Sequence, residues 1–504
     1  MERRRKSQVR GSIILSTIAI ATAMPLHAAD EPVLFSSAFI TGSRTYEARD
    51  FAAIIGPHVG RPVSSELMQQ LAADIQGLYG ADGYVLPTVL QADSDLGSSN
   101  PRLHVYEAQI AEVVLRGDCG PYCDLIRADA RSLESSVIHK QRSRAHLRAI
   151  ERLPGVGLSA VFEPRTSEPN RYNLILTVSY QAVRVAAYLH NRGAEDLGRT
   201  VLGARTTFNG LLGMQEALTL RAAASSNIDD YHYVGGQLER LFGNVAGSLD
   251  ASLSRIGTNW RYSSDRARLE VSTAAFDDGV LRVAPFVAIG ASNSEGREVA
   301  ADYSAMVRTR TLEAGLAAHV ASAGAVTDVW SAIERGTGAF GAAALTTDGT
   351  PYDVVFTKTM LETSHIHVLA PKWRLRVELE GQLSSDSLPP GERFTFGGPR
   401  FGRAFDPATL IGDSGAAGSL QVEYLGNWQS AILDSGRVYL QADYGYSRLN
   451  ASRHTANAAS MTVGFSTKLA PFLASLELSC PLNGSEFDPD DSRPRVFLYL
   501  QMSL

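Results

Sequence analysis

An alternation of apolar and polar residues runs through the last two thirds of this sequence, and it limits the fold more than any other feature. In the segment WRLRVELEGQL, residues 373–383, the apolar side chains fall on one face of an extended strand and the charged ones on the other. The same period of two returns in SLQVEYLG (419–426), RVYLQADYGY (437–446), FLASLELSC (472–480) and RVFLYLQMSL (495–504). Turn residues separate such segments from about residue 183 onward, which predicts an all-β region.

Two folds accommodate such a region: a soluble sandwich or propeller with a dry core, and an outer-membrane barrel that is apolar outside and polar within. The sequence predicts no helical layer over residues 183–504 that would cover the apolar faces. With about 20 residues per strand and turn, the region holds roughly 16 antiparallel strands, which is within the range of such barrels. We therefore predict a transmembrane β-barrel over residues 183–504.

The first 29 residues are typical of an export signal. Five basic residues precede or flank an apolar stretch at residues 13–24, and small residues suited to cleavage stand at Ala23 and Ala29. A membrane anchor is the alternative, but the stretch is too short to span a bilayer with margin. We therefore expect the mature chain to leave the cytoplasm. The full sequence has a net charge of −6, which provides no basic field for binding nucleic acid.

Residues 32–180 have a different pattern, in which helix and strand signals alternate. Leu67, Leu71, Ile75 and Leu78 recur at helical spacing before Gly80 and Gly83, which end the helix. A second helix is predicted in QRSRAHLRAIERLPGVG, and the segments LSAVFEPR and RYNLILTVSY after it predict a pair of strands. The order strand–helix–helix–strand–strand occurs twice, which indicates an internal repeat of small α/β modules.

Three cysteines are present, and two of them are close together in CGPYC. Cys119 and Cys123 can close a small disulfide loop in an oxidising compartment, or stand as free thiols or half of a metal site. No histidine or second cysteine pair lies nearby in the sequence, so we predict no metal. Cys480 falls on an apolar strand face, where an inert thiol is expected.

Catalytic motifs are few. GDSG at residues 412–415 is similar to the nucleophile segment of serine proteases, but no histidine stands in a matching context to serve as a base for Ser414. No phosphate-binding loop of the G-x-x-x-x-G-K type occurs. We predict no enzymatic activity and no cofactor.

One segment departs from ordinary surface loops. FTFGGPRFGRAFDPATLIGDSG, residues 394–415, combines glycines, prolines and arginines with aromatic residues, and places Arg403 between Phe401 and Phe405. This composition favours a loop that folds back into a confined space.

In their order along the chain, these motifs resemble the two-partner secretion transporters of the outer membrane, the hemolysin activator/filamentous hemagglutinin transporter group within the Omp85 superfamily. ITGSRTYEARDF and the following helix are similar to the first POTRA domain (residues 32–106), and LRAIERLPGVGLSAVFEPR to the second (residues 107–180). LHNRGAEDLGRTVLGARTTFNGLLG is similar to the first barrel strands. The resemblance implies α+β periplasmic POTRA domains followed by an all-β barrel in the bacterial outer membrane.

The resemblance also assigns roles to residues of the aromatic loop. The superfamily's lumenal loop carries an aliphatic-Arg-Gly-aromatic motif, here matched by Arg403 and Phe405, with Gly402 and Ala404 as departures. Its arginine pairs with an aspartate of the barrel wall, which matches Asp443. Asp413 and Gly415 match the motif that begins the next strand.

The implied function is export of one large secreted partner protein, of adhesin or cytolysin type, which an exposed POTRA sheet edge binds while it is unfolded. Leu67, Leu71 and Ile75 would take part in that groove, unless they form the core face of the helix. Outer-membrane lipid surrounds the barrel, and assembly by the outer-membrane insertion machinery is expected. The main alternative is an Omp85-type assembly factor, and a passive porin is disfavoured by the POTRA-like half. The sequence shows no amphipathic plug helix before the first POTRA domain, so noisy basal conductance is expected.

Overall fold

The computed structural model describes residues 32–85, 87–91, 97–166, 168, 170–258, 260–298, 303–347, 352–427, 435–469, 471–483 and 493–504. The predicted signal peptide lies outside these residues. The chain divides into two compact units. The first comprises the residues up to Gly80 together with Pro87–Glu107, and the second comprises Ala81–Leu86 and Ala108–Leu504. No helix in the described part of the chain is long and apolar enough to cross a membrane.

The first unit is a three-stranded sheet covered by helices. Its elements are β1 (Phe39–Thr41), α1 (Ala52–Ile55), α2 (Ser65–Ala81), β2 (Thr88–Gln91) and β3 (Arg102–Tyr106), with single 3₁₀ turns at Ala48–Phe51 and Gly56–His58. Strand β3 is central, parallel to β1 and antiparallel to β2. Helix α2 buries Leu67, Leu71 and Ile75 because their spacing places them on one stripe.

The second unit begins with a sheet of the same order. Its elements are β4 (Gln109–Gly117), α3 (Cys123–Arg131), α4 (Lys140–Glu151), β5 (Val156–Pro164) and β6 (Arg171–Tyr180), with a 3₁₀ turn at Gly120–Tyr122. Strand β6 is central, parallel to β4 and antiparallel to β5. The predicted internal repeat is therefore confirmed. The structure joins Cys119 to Cys123 in a disulfide just before α3.

The rest of the second unit is a closed antiparallel barrel. Its strands are β7 (Val183–His190), β8 (Val201–Asn209), β9 (Glu216–Ser225), β10 (Tyr231–Phe242), β11 (Val245–Gly257), β12 (Trp260–Thr273), β13 (Phe276–Asp277), β14 (Leu281–Glu298), β15 (Ser304–Ala321), β16 (Ala325–Gly336), β17 (Ala343–Thr346), β18 (Thr357–Ala370), β19 (Trp373–Ser384), β22 (Ser414–Asn427), β23 (Ser435–Arg448), β24 (Thr455–Leu469), β25 (Phe472–Asn483) and β26 (Arg495–Ser503). Segments β12 and β13 both pair with β14, and β16 and β17 both pair with β15, so each of these two pairs counts as one interrupted strand. The barrel therefore has 16 strands, as predicted.

Side chains alternate between the two faces of the barrel wall in the predicted sense. On β23, Val438 and Leu440 are exposed on the outer face, while Gln441 and Asp443 are buried on the inner face. The apolar outer face suits lipid and the polar inner face suits a water-filled lumen. Strands β20 (Phe394–Phe396) and β21 (Leu410–Gly412) form a separate two-stranded sheet that is not part of the barrel wall.

The second α/β module contacts the turns at one end of the barrel. Arg148 of α4 pairs with Asp277 and donates to the carbonyl oxygen of Gly279, in the turn before β14. Tyr180 donates to the carbonyl oxygen of Asn209 at the end of β8. The ring of Tyr122 packs edge-on against Tyr180, and burial raises the pKa of the Tyr122 hydroxyl to about 12. Because the strands alternate in direction, the connection between β19 and β22 lies at the opposite end of the barrel.

The barrel closes between its first and last strands, where pairing is short. Only five residue pairs join β26 to β7, from Tyr499↔His190 to Ser503↔Ala186. Asn191 extends this seam with its side chain, since its Nδ2 donates to the carbonyl oxygen of Val496 at 3.0 Å and its Oδ1 accepts from the amide of Leu498 at 2.7 Å. Its backbone amide also donates to the carbonyl oxygen of Leu498 at 3.3 Å, so Asn191 joins the two strands through both its main chain and its side chain.

Replacing Asn191 by alanine is expected to weaken the seam, because two strand-edge groups lose their partners at a cost of about 1–3 kcal/mol each. The barrel should lose its compact electrophoretic mobility at a lower temperature than the wild type. Asn457→Ala on β24, which removes a side-chain bond of 2.8 Å to Asn483, is the control. Equal transition temperatures for all three proteins would show that Asn191 does not hold the seam.

Candidate functional site

The connection between β19 and β22, residues 385–413, runs inside the barrel and is called the lumenal loop below. Glu392 accepts from Lys358 Nζ on β18 at 2.8 Å and from Thr309 Oγ1 on β15 at 2.9 Å. Asp406 accepts from Arg495 on β26 at 2.6 Å. Contacts with strands so far apart in the ring show that the loop crosses the lumen.

An aromatic cluster at the centre of the lumenal loop fits a recess in the barrel wall. The cluster residues are Phe394, Phe396, Phe401, Ala404, Phe405 and Leu410, packed against Ala417, Ala456 and Ala458. Wall glycines make further room: a Cβ on Gly415 would overlap the ring of Phe394, and one on Gly445 the ring of Phe396. Small inward residues thus create the recess, and burial of the aromatic rings holds the loop in it.

Arg403 is directed from this cluster to the far side of the recess. Its guanidinium lies 3.2 Å from Glu477 Oε1 on β25 and 3.4 Å from the hydroxyl of Tyr439 on β23. Glu477 also pairs with Arg192, which follows β7, and accepts from the Tyr439 hydroxyl at 2.6 Å. The carboxylate is therefore shared by two arginines, one from the loop and one from the barrel seam.

The prediction that the side chain of Arg403 forms an ion pair with Asp443 is wrong, because the guanidinium pairs with Glu477 and only the backbone amide of Arg403 contacts Asp443. Asp443 is buried on the inner wall, as predicted, but its Oδ2 accepts from the backbone amide of Arg403 at 3.3 Å. Its remaining bonds come from Gln441 at 2.7 Å and Ser460 at 3.1 Å. Neutral donors of the wall and the loop backbone already satisfy Asp443, so the guanidinium reaches the carboxylate that lies two strands further on.

The two departures from the superfamily motif have local causes. Gly402 has φ +68°, and a Cβ there would overlap the ring of Phe396, so glycine fits this position on both counts. Ala404 is completely buried within the aromatic cluster, where its methyl group fills space beside Phe405. Phe405 itself is 2% exposed, consistent with the predicted position of this side chain in a docked loop.

Asp413 fixes the base of the lumenal loop. Its fully buried carboxylate accepts from the amide of Leu388 at 2.8 Å, the amide of Asn450 at 2.7 Å and Nε of Arg393 at 3.3 Å. One side chain therefore links the start of the loop, its hairpin and the next external turn. Gly415 follows at the position where the Phe394 ring covers the strand.

Arg400 is a loop residue whose role sequence reasoning missed. It lies 2.9 Å from both Glu362 and Glu380, and 3.5 Å from Glu378. The strand alternation places Glu378 and Glu380 on the inner face, but nothing in the sequence indicates which loop cation they receive. Together, Arg400 and Arg403 attach the loop to two separate acidic parts of the wall.

Other predicted site residues have structural roles. Leu67, Leu71 and Ile75 are at most 1% exposed, so they form the core face of α2, which is the alternative given above for these residues. The hydroxyl of Ser414 donates to the carbonyl oxygen of Ser384 at 2.9 Å and accepts from its amide at 3.0 Å, joining two strand ends. Within the described residues, no group of three or more histidine, cysteine, aspartate or glutamate side chains is placed to hold a metal ion.

These features define a class: a bacterial outer-membrane barrel with POTRA-type periplasmic modules and a loop folded into its lumen. Residues 303–467 match the family described as haemolysin secretion/activation protein ShlB/FhaC/HecB, which confirms the resemblance predicted from the sequence. The matched segment runs from β15 to β24 and includes the whole lumenal loop. No curated protein sequence matches the chain.

Solved structures share the fold at low sequence identity. CdiB from Escherichia coli has a TM-score of 0.74 at 16% identity, covering 96% of this chain and 93% of its own. CdiB from Acinetobacter baumannii has a TM-score of 0.64 at 15% identity, covering 94% and 90%. BamA from Haemophilus ducreyi lacking POTRA domains 1–3 has a TM-score of 0.52 at 10% identity, covering 94% and 100%. These likenesses concern the fold.

Proposed function

We propose that this protein exports one large secreted partner protein across the outer membrane, by the two-partner route. The observation that carries the proposal is the lumenal loop, which crosses the polar lumen and lies within the segment that matches a secretion/activation family. A passage held closed by side-chain contacts suits a cargo that enters only when it displaces them. An adhesin or cytolysin is the kind of partner that we expect.

The inner wall suits transit of an extended polypeptide. Away from the acidic groups, many of its inward side chains are hydroxyls and amides, including Ser419, Gln421, Ser460, Thr462 and Ser479, which are buried while the lumenal loop is docked. When the loop moves aside, such groups can exchange weak hydrogen bonds with a passing backbone, whereas a strongly apolar or singly charged wall would retain it. Mixed-sign pairs such as Arg376 and Glu423, 3.6 Å apart, already satisfy each other.

Binding of the partner requires a free strand edge in the periplasm, and the first unit offers β2. Within the part of the chain that the structure describes, β2 lies at an edge of the sheet and pairs with β3, so a strand can be added beside Val89 and Leu90 on the side away from β3. Leu90 on this strand is 53% exposed. We therefore move the proposed contact from the buried face of α2 to the edge of β2.

Changing Leu90 to lysine is expected to lower partner binding at least about tenfold, because an inserted charge at a sheet edge opposes strand addition. Affinity for a purified unfolded secretion domain of the partner is the measurement. Val59→Lys is a matched control, since Val59 is 54% exposed in the same unit but lies outside the strands. Equal losses for both variants would locate binding elsewhere.

The energy for transit is proposed to come from the partner itself. The sequence contains no nucleotide-binding loop, and folding of the partner outside the cell makes its return unfavourable. The lumenal loop then has only to move aside and return. We further expect the barrel to be inserted by the outer-membrane assembly machinery and to act without catalysis.

The second candidate is an Omp85-type assembly factor, favoured by the fold likeness to BamA. Deletion of the gene distinguishes the two. Loss of one large species from the culture fluid, with an unchanged outer-membrane proteome, supports export. A general decrease in outer-membrane proteins would contradict export and support the assembly role.

A further inference from the structure

The outer surface of the barrel carries an apolar crevice near the middle of β14 and β15, and a pair of arginines lies next to it on the side away from the periplasmic module. Leu249, Leu269, Ile289 and Leu312 are directly paired across β11, β12, β14 and β15, and all four are exposed on the lipid-facing side. The next outward row consists of Ala251, Ala267, Ala291 and Arg310, so small residues form a depression next to a cation. The resulting crevice measures about 570 Å³.

A bulge in the neighbouring strand covers one side of this crevice. The six residues 337–342 separate β16, which ends opposite Thr311, from β17, which begins opposite Arg308. The bulge is attached through Thr337, whose amide donates to the carbonyl oxygen of Arg310 at 2.8 Å. It projects Phe340, which is 88% exposed and lines the crevice. Phe340 has φ +53°, an unfavourable backbone state for an aromatic residue, which indicates a maintained shape.

Two arginines stand where the apolar surface ends. Arg308 and Arg310 point to the same face of β15, two residues apart. Arg310 donates to Asn293 Oδ1 at 3.0 Å and to the carbonyl oxygens of Ser292 and Thr309 at 3.1 and 2.7 Å, all of them neutral acceptors. No carboxylate among the described residues forms an ion pair with either arginine, so both positive charges are uncompensated. Asp265, in the same row as Arg308, is paired with Arg255 at 2.8 Å, and Glu295 lies one outward row beyond. Arg308 and Arg310 are therefore available to an external anion.

We propose that this crevice binds a phosphorylated, acylated glycolipid of the outer leaflet. An acyl chain would lie in the crevice between the leucine row and Phe340, and a phosphate would lie between the guanidinium groups of Arg308 and Arg310. Arginine binds phosphate in a bidentate way, and cations at the edge of the apolar band select anionic headgroups. The site uses the outer face of the wall and does not depend on the export proposal.

The test uses the full mature chain, purified in detergent and titrated with bis-phosphorylated lipid A in native mass spectrometry. The Arg308→Gln/Arg310→Gln variant should weaken binding at least tenfold, and Phe340→Ser should weaken it about threefold by removing one wall of the crevice. The control is Arg448→Gln, which changes an exposed arginine of β23 on the side of the barrel away from the periplasmic module. This variant should bind the lipid as the wild type does. Heat-modifiable mobility verifies that each variant is an assembled barrel.

Two further arms separate the lipid from its headgroup. Excess inorganic phosphate should leave the lipid bound, and lipid A without phosphates should bind at least tenfold more weakly. The proposal is overturned if the double variant binds like the wild type, if free phosphate displaces the lipid, or if removal of the phosphates has no effect.

Discussion

Replacing Asp413 by alanine is expected to release the lumenal loop while the barrel around it stays closed. The buried carboxylate accepts three hydrogen bonds, from Leu388, Asn450 and Arg393. Each buried donor that loses its acceptor costs about 1–3 kcal/mol, and removing one partner of a buried ion pair costs about 3–5 kcal/mol. Counting the Arg393 contact once, the docked loop is therefore destabilised by several kcal/mol relative to the released loop.

Trypsin provides the measurement, because the lumenal loop contains Arg393, Arg400 and Arg403. In the wild type these arginines are paired and the loop should resist cleavage, whereas in Asp413→Ala it should be cut rapidly. Asp328→Ala is the control, since Asp328 is 60% exposed and pairs only with His319 within the described residues. Heat-modifiable mobility should remain that of a folded barrel. Equal protection of the variant and the wild type would rule out Asp413 as the residue that fixes the loop.

Glu477→Ala is expected to open the channel more than Arg403→Ala does. Loss of Arg403 leaves Glu477 paired with Arg192, but loss of Glu477 leaves two arginines with side chains 9% and 18% exposed without their shared carboxylate. Such uncompensated charges cost about 3–5 kcal/mol, and their mutual repulsion drives the loop out of its recess. The double variant should be no worse than Glu477→Ala, because both changes act on one contact.

Single-channel recording in planar bilayers tests this order. Open probability should rise from the wild type through Arg403→Ala to Glu477→Ala. Glu423→Ala is a matched control: its carboxylate is equally a buried part of the wall and lies 3.6 and 3.3 Å from Arg376 and Arg437, but it does not contact the loop. If Glu423→Ala raises the open probability as much as Glu477→Ala, the effect belongs to the wall and the proposed contact is refuted.

The sequence was sufficient for the barrel because its strands obey a local rule. Each side chain of β23 must face lipid or lumen, so a period of two reveals both the strand and the inward position of Asp443. The same argument predicts the strand number, since the length of the region and the spacing of turns are visible directly. The POTRA-type repeat follows similarly from the stripe of α2 and the order of the elements.

Pairings across the lumen could not be predicted in this way. Asp443, Glu477 and the glutamates that pair with Arg400 lie in the same confined space as Arg403. Which of these carboxylates pairs with Arg403 depends on distances between strands that are remote in sequence. The wall recess is also invisible locally, because Gly415, Gly445 and Ala458 look like ordinary small strand residues until the Phe394 and Phe396 rings lie against them. For α2, burial and partner contact predict the same apolar spacing, and only the packed sheet distinguishes them.

The short seam between β7 and β26 has a consequence for biogenesis. Because β7 and β26, more than three hundred residues apart, complete the ring, the final pairing forms only after β26 has been delivered. A chain that stops before residue 495 would lack β26 and leave two unpaired edges in contact with lipid, where unsatisfied backbone groups are costly. Truncation before β26 is therefore expected to produce molecules destined for degradation.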